Sequence, residues 1–157
     1  PFTHRKPGVI GAAAEDTQTE VELICDGIHI HPSVVKSTFK LFGANRVVLI
    51  SDSMMATGME DGEYALGGQP VQVKGNRALL ADGTIAGSAT NLYDCMRTAI
   101  GMGVPMEDAV RAATFNPAVA VGLADECGSL IEGRKADILI ADKEFRLQEV
   151  IKGGKTI

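Results

Sequence analysis

The sequence predicts an α/β fold in which a short parallel sheet is covered by helices. Residues 23–30 (LICDGIHI) and 46–51 (RVVLIS) are near-continuous apolar runs, the pattern of strands buried on both faces. Between them lies a stretch with apolar residues at helical spacing, so the order is strand, helix, strand. Eighteen glycines fall between the apolar runs of this 157-residue chain, which suits short elements joined by tight loops.

The elements follow in order. Thr3, His4, Arg5, Lys6, Pro7 and Gly8 read as a loop already in progress, and the chain starts at Pro1 without Met. The natural protein is therefore expected to extend upstream. Residues 23–30 form a buried strand, broken at Asp26 and Gly27, that ends in a functional loop. Pro32 suits the first turn of the next helix. Val35, Thr38, Phe39 and Phe42 share one face of it, Lys36 and Lys40 face the other way, and Gly43 is a natural stop. Residues 46–51 form the second strand, and Asp52 follows at once. Residues 64–86 change character, with Gly67-Gly68, Gly75-Asn76 and Asp82-Gly83 punctuating short segments, and read as an inserted antiparallel hairpin. Leu92, Met96, Ala99 and Ile100 then mark one helix face. Met106, Ala109, Val110 and Ala113 mark another, with Pro105, Glu107 and Asp108 as its start signals. Asn116 and Pro117 read as the N-cap and first residue of a third helix through Val121. From Gly128 the chain returns to strand-like runs at 129–131, 136–141, 147–151 and 156–157. A tail of roughly 30 residues is too small to bury a sheet face alone, so it is expected to pack on strands from elsewhere.

Composition excludes several functions. A net charge of −5 argues against nucleic-acid binding, which rewards a clustered excess of Lys and Arg. No apolar run approaches the roughly 18 residues a membrane span needs. Aromatic residues make up 4% of the chain and Trp is absent, so a stacking platform is not expected. Cys25, Cys95 and Cys127 are scattered and odd in number, which reads as reduced thiols in a cytoplasmic protein.

Three polar clusters fall at expected strand ends or loops. His4, Arg5 and Lys6 offer adjacent donors for a phosphate, Arg5 as a bidentate fork, although spacing alone favours a solvated basic loop. His29 follows a buried strand, where barrel enzymes place active-site groups; a histidine held structurally by a hydrogen bond is the other reading. His31, before Pro32, reads as a residue leading into the helix. The two histidines have H-x-H spacing, but neither is assigned as a metal ligand. Asp52 sits directly after an apolar strand and either caps a turn or faces a polar site, where it can take up and deliver a proton.

Taken together the segments become specific. P-F-T-H-R-K-P-G, D-G-I-H-I-H-P, L-I-S-D-S-M-M-A-T-G, I-A-G-S-A, A-T-F-N-P-A and G-S-L-I-E-G-R-K-A-D-I-L-I-A-D resemble, in order, the motifs of N-acetylglucosamine-6-phosphate deacetylases of the amidohydrolase superfamily. The resemblance implies the C-terminal portion of a metal-dependent (β/α)8 barrel over residues 1–127, with the inserted hairpin at about 64–86. Residues 128–157 would be returning strands of a small β-sandwich. It implies Asp52 as catalytic acid/base, with Arg5, His29, Ile85, Ala86, Gly87 and His4 binding the phosphorylated amino-sugar substrate. Arg5 would reach the neighbouring site of a homodimer. The divalent metal, of zinc or iron class, would have its ligands upstream of Pro1. Ser53, Met54 and Met55 depart from the family's smaller residues after the aspartate. Another amidohydrolase substrate, such as galactosamine phosphate or a cyclic amide, remains an alternative. So does a non-catalytic role, since the isolated 157 residues are expected to be inactive.

Overall fold

A computed structural model describes residues 2–157. Helix α1 (Gly8–Glu15) leads into strand β1 (Val21–Ile24), helix α2 (Pro32–Phe42) and strand β2 (Val47–Ile50). β1 and β2 are parallel, paired from Val21 with Val47 to Ile24 with Ile50. This is the strand–helix–strand unit that the apolar runs predict. Val47, Val48 and Leu49 are all buried in succession, which requires packing on both faces of the sheet.

Local chemistry sets the boundaries of α2. His31 caps it, accepting from the Ser33 backbone N–H, and Pro32 occupies the first turn. Gly43 ends it at φ 76°, a conformation that glycine adopts without strain. Lys36 and Lys40 are exposed, as the periodicity requires.

The segment after β2 is larger than a hairpin. Strands β3 (Gly62–Leu66), β4 (Gln69–Lys74), β5 (Arg77–Leu79) and β6 (Ile85–Ser88) form a four-stranded antiparallel meander. β4 buries Val71 and Val73 and exposes Gln72 between them; with Met54, Ala56 and Ala78 the two valines form a small core of their own.

Helices α3 (Leu92–Gly101) and α4 (Met106–Ala113) cover the parallel sheet, followed by α5 (Phe115–Ala120). The main core joins Leu23 and Cys25, Val35, Val47 and Leu49 to Cys95, Met96, Ala99, Val104, Ala109 and Ala112. α4 buries Ala109, as predicted, together with Ala112, and Ala113 packs against the core; Met106 and Val110 are exposed, so the inward face consists of small side chains. Asn116 is no N-cap either. It lies inside α5, 2% exposed, and its amide donates to the Ala44 and Val47 carbonyls at 2.7 Å each. Those carbonyls need a donor, and this side chain reaches them.

Strands β7 (Ile138–Ala141), β8 (Leu147–Lys152) and β9 (Lys155–Thr156) form a three-stranded antiparallel sheet. The run at 129–131 is not a strand; Leu130 is 82% exposed and finds no partner to pair with. The sheet touches the rest through Phe145, which packs on the main core and whose carbonyl accepts from the Tyr93 hydroxyl at 3.1 Å. Leu139, Ile140 and Leu147 remain exposed, in keeping with a sheet too small to bury its own face. Among the described residues no helix is long and apolar enough to cross a membrane.

All three cysteines are free, Cys25 and Cys95 buried and Cys127 part-exposed. Burial, and then the nearby Asp26 charge, pushes the Cys25 thiol up to about 11; the same two causes lead in raising Cys95 to about 12. The thiolate is the reactive form. At mildly alkaline pH a disulfide-exchange reagent should therefore modify Cys127 quickly and the other two only after denaturation. Timed labelling with mass spectrometry checks this order.

Candidate active site

Because β1 and β2 are parallel and in register, their outgoing loops leave the same end of the sheet. Asp26 lies two residues beyond Ile24, and Asp52 two residues beyond its partner Ile50. One end of the sheet thus carries two carboxylates and, on the first loop, His29. Strand β1 stops at Ile24, so His29 stands on a loop and not at a strand terminus as the apolar run predicts.

Asp26 builds that loop. Its Oδ1 accepts the backbone N–H groups of Ile28 at 2.9 Å and His29 at 3.0 Å. Its Oδ2 lies 2.8 Å from His29 Nδ1. The carboxylate is fully enclosed, whereas the His29 side chain is 19% exposed. Burial pushes the Asp26 carboxyl up, but the His29 and Ile28 N–H groups and the His29 ring outweigh it and hold the carboxyl below its ordinary value. The sign follows. A lowered folded value adds stability at pH above the unfolded value near 3.8, and that stability is lost as pH falls through the lower folded value. In acid titrations followed by circular dichroism, the stability gap between the wild type and Asp26→Asn should be constant near neutrality. It should narrow only below about pH 4.

Asp52 is exposed and has φ 53°, one of two non-glycine residues with positive φ among those described. Two backbone bonds pin its position: Ser88 N–H donates to the Asp52 carbonyl at 3.1 Å, and Met54 N–H donates to the Ser88 carbonyl at 2.8 Å. The Ser53 hydroxyl donates to the Thr90 carbonyl at 2.7 Å and also lies 2.7 Å from the Ser51 hydroxyl. Strand β6 therefore ends against the Asp52 turn. A Cβ on Gly87 would stand 3.8 Å from the Asp52 carbonyl, so Gly87 lies beside the backbone of the aspartate turn.

His4 and Arg5 occupy an exposed turn closed by reciprocal Thr3 and Lys6 backbone bonds. Among the described residues no hydrogen bond or ion pair joins either side chain to the Asp52 or His29 loops. His31 serves as the α2 cap, as its place before Pro32 predicts. Asp26 is the residue that sequence reasoning missed; an Asp-Gly turn with His three residues on was the available signal. Two hollows open near these loops. A groove of about 400 Å³ is lined by Glu22, Ser51, Asp52 and Leu92, among others. A cleft of about 620 Å³ runs between Asp26, Asn76, Thr90 and Asp94 and does not include Asp52. Among the described residues no three His, Cys, Asp or Glu side chains converge to hold a metal ion. The set present does not fit a metal cage.

The structure defines an α/β protein whose parallel sheet carries acidic and imidazole groups at one end, and comparison defines it further. The chain belongs to the amidohydrolase family, whose model matches residues 11–157. Within that family it is similar to sugar-phosphate deacetylases. N-acetylglucosamine-6-phosphate deacetylase of Bacillus subtilis is 41% identical over 92% of this chain and 37% of that protein. A putative N-acetylgalactosamine-6-phosphate deacetylase of Escherichia coli K12 is 36% identical over 94% of this chain and 88% of its own length. A mutant N-acetyl-D-glucosamine-6-phosphate deacetylase of Mycobacterium smegmatis, solved in complex with N-acetyl-D-glucosamine-6-phosphate, superposes with a TM-score of 0.90. It is 36% identical and covers 99% of this chain and 42% of that one. The chain thus spans well under half of the B. subtilis and M. smegmatis proteins.

Proposed function

We propose that this chain carries the acid/base and substrate-binding half of an enzyme that hydrolyses the acetamide of N-acetylglucosamine 6-phosphate to glucosamine 6-phosphate and acetate. The observation that carries the reading is Asp52, held in a left-handed turn at the outgoing end of a buried parallel strand and pinned there by Ser88. Its exposed carboxylate accepts a proton from the attacking water and returns it to the departing amine. Ile85, Ala86 and Gly87 line the substrate's approach, His29 meets the sugar phosphate, and Arg5, assisted by His4, secures the phosphate in the neighbouring site of a homodimer. The similarity to the B. subtilis and M. smegmatis deacetylases supports these assignments.

On the same reading, residues 1–127 belong to a (β/α)8 barrel, with β1 and β2 as neighbouring strands. Residues 128–157 belong to a β-sandwich, which accounts for the apolar residues left exposed on β7 and β8. A divalent ion of zinc or iron class is held by side chains outside these 157 residues. The free thiols fit a cytoplasmic setting.

N-acetylgalactosamine 6-phosphate, the C4 epimer, is the substrate of the second reading, favoured by the E. coli relative of which this chain covers 88%. Acetate release by the natural gene product, supplied with divalent metal, from the two N-acetylated epimers decides between them. Failure with both sinks the deacetylase reading. Arg5→Ala is expected to raise KM roughly ten-fold or more, the worth of a hydrogen bond to a charged group, with kcat much less affected. An unchanged KM would place the phosphate elsewhere and favour a substrate without one.

A further inference from the structure

We propose that Asp26 is a positioning residue that locks the His29 ring, with Nδ1–H bound inward and Nε2 as the single nitrogen presented to a ligand. A carboxylate only accepts hydrogen bonds, so the 2.8 Å contact between Asp26 Oδ2 and His29 Nδ1 places a proton on Nδ1. The clamp is rigid because the other oxygen is engaged as well. Oδ1 takes the backbone N–H groups of Ile28 and His29, so one enclosed carboxylate fixes the backbone and the ring of the same histidine.

The turn beneath it is tight. Gly27 has φ 81°, and a Cβ there would stand 3.3 Å from Thr98 Cγ2, so the loop sits directly against α3. With Nδ1 committed, the part-exposed ring has only Nε2 left for a substrate. His31 is held in the opposite sense. Its Nδ1 accepts the Ser33 N–H at 3.2 Å, which leaves the neutral ring's proton on Nε2. Two histidines, two residues apart, thus carry opposite tautomers and do not act as a pair.

The test is nitrogen NMR of the natural gene product labelled with ¹⁵N-histidine, at a pH where the rings are neutral. His29 and His31 are assigned by single His→Gln variants. His29 is expected as the Nδ1–H form and His31 as the Nε2–H form in one spectrum. Asp26→Asn discriminates the clamp from a merely structural turn. Asn Oδ1 still accepts the Ile28 and His29 N–H groups, but its amide now faces Nδ1 and donates. His29 should therefore switch to Nε2–H while His31 and the backbone amide spectrum stay as they were. A wild-type His29 already in the Nε2–H form, or one that does not switch in a folded variant, overturns the proposal.

The consequence for substrate rests on the deacetylase reading: in the natural gene product supplied with divalent metal, Asp26→Asn should raise KM for N-acetylglucosamine 6-phosphate roughly ten-fold, with a smaller change in kcat. A fall in kcat at unchanged KM would overturn the positioning role. If neither protein releases acetate while the tautomers behave as described, the clamp stands and the deacetylase reading falls.

Discussion

Replacing Asp52 with Asn is expected to lower the rate of acetate release by about 10²- to 10⁴-fold, the usual contribution of a positioned acid/base. The substitution is clean for a structural reason. Asn tolerates positive φ at least as well as Asp, so the turn at φ 53° and its two bonds to Ser88 should survive. What is lost, on the proposed role, is the capacity to take a proton from water and give it to the amine. Steady-state assays of the natural gene product with its metal, beside a circular dichroism spectrum, separate chemistry from folding. A folded Asp52→Asn protein with wild-type kcat would remove Asp52 from the reaction. Asp52→Glu keeps the carboxylate but moves it by a methylene, and should fall between the two.

Asn116→Ala is expected to cost about 2–4 kcal/mol of stability, because removing one partner leaves buried acceptors unsatisfied. The amide donates to the Ala44 and Val47 carbonyls, one in the turn before β2 and one on the strand itself, across some seventy residues of sequence. It ties α5 to the strand that delivers Asp52, so its loss should loosen the site as well as the fold. Urea unfolding measures the difference. Asn91 is the control: it caps α3 by accepting from the Asp94 N–H, and Asn91→Ala should cost only about 1 kcal/mol. Equal effects from the two variants would show that the Asn116 bonds carry no special weight.

Much of the fold is legible wherever local chemistry and tertiary packing agree. α2 is written in Pro32, its apolar spacing and Gly43, and β2 in an unbroken apolar run that only a sheet buried on both faces can use. Elements whose residues carry no such signal escaped. α1 (GVIGAAAE) is too rich in small residues to show a face. β3 and β6 have too few apolar positions to alternate, so a four-stranded meander reads as a hairpin. Residues 129–131 have the composition of a strand and no neighbour to pair with. Asn-Pro reads as a cap when taken alone, but the unpaired carbonyls that claim Asn116 lie on another element. The site divides the same way. Asp52 is visible from its place after β2, and the approach of Gly87 appears only once β6 folds back on it. Asp26 remained hidden because its meaning lies in three donors arranged around one carboxylate.

The left-handed turn at Asp52 also sets two kinds of selection against each other. An L-residue with a β-carbon is strained at φ 53°, and glycine would relieve that strain. A library of variants screened only for survival of heating should therefore enrich glycine at position 52 and return durable proteins that do no work. On the proposed acid/base role of Asp52, thermal robustness gained at that position should come with lost turnover, which heating curves and acetate assays on the same variants measure together.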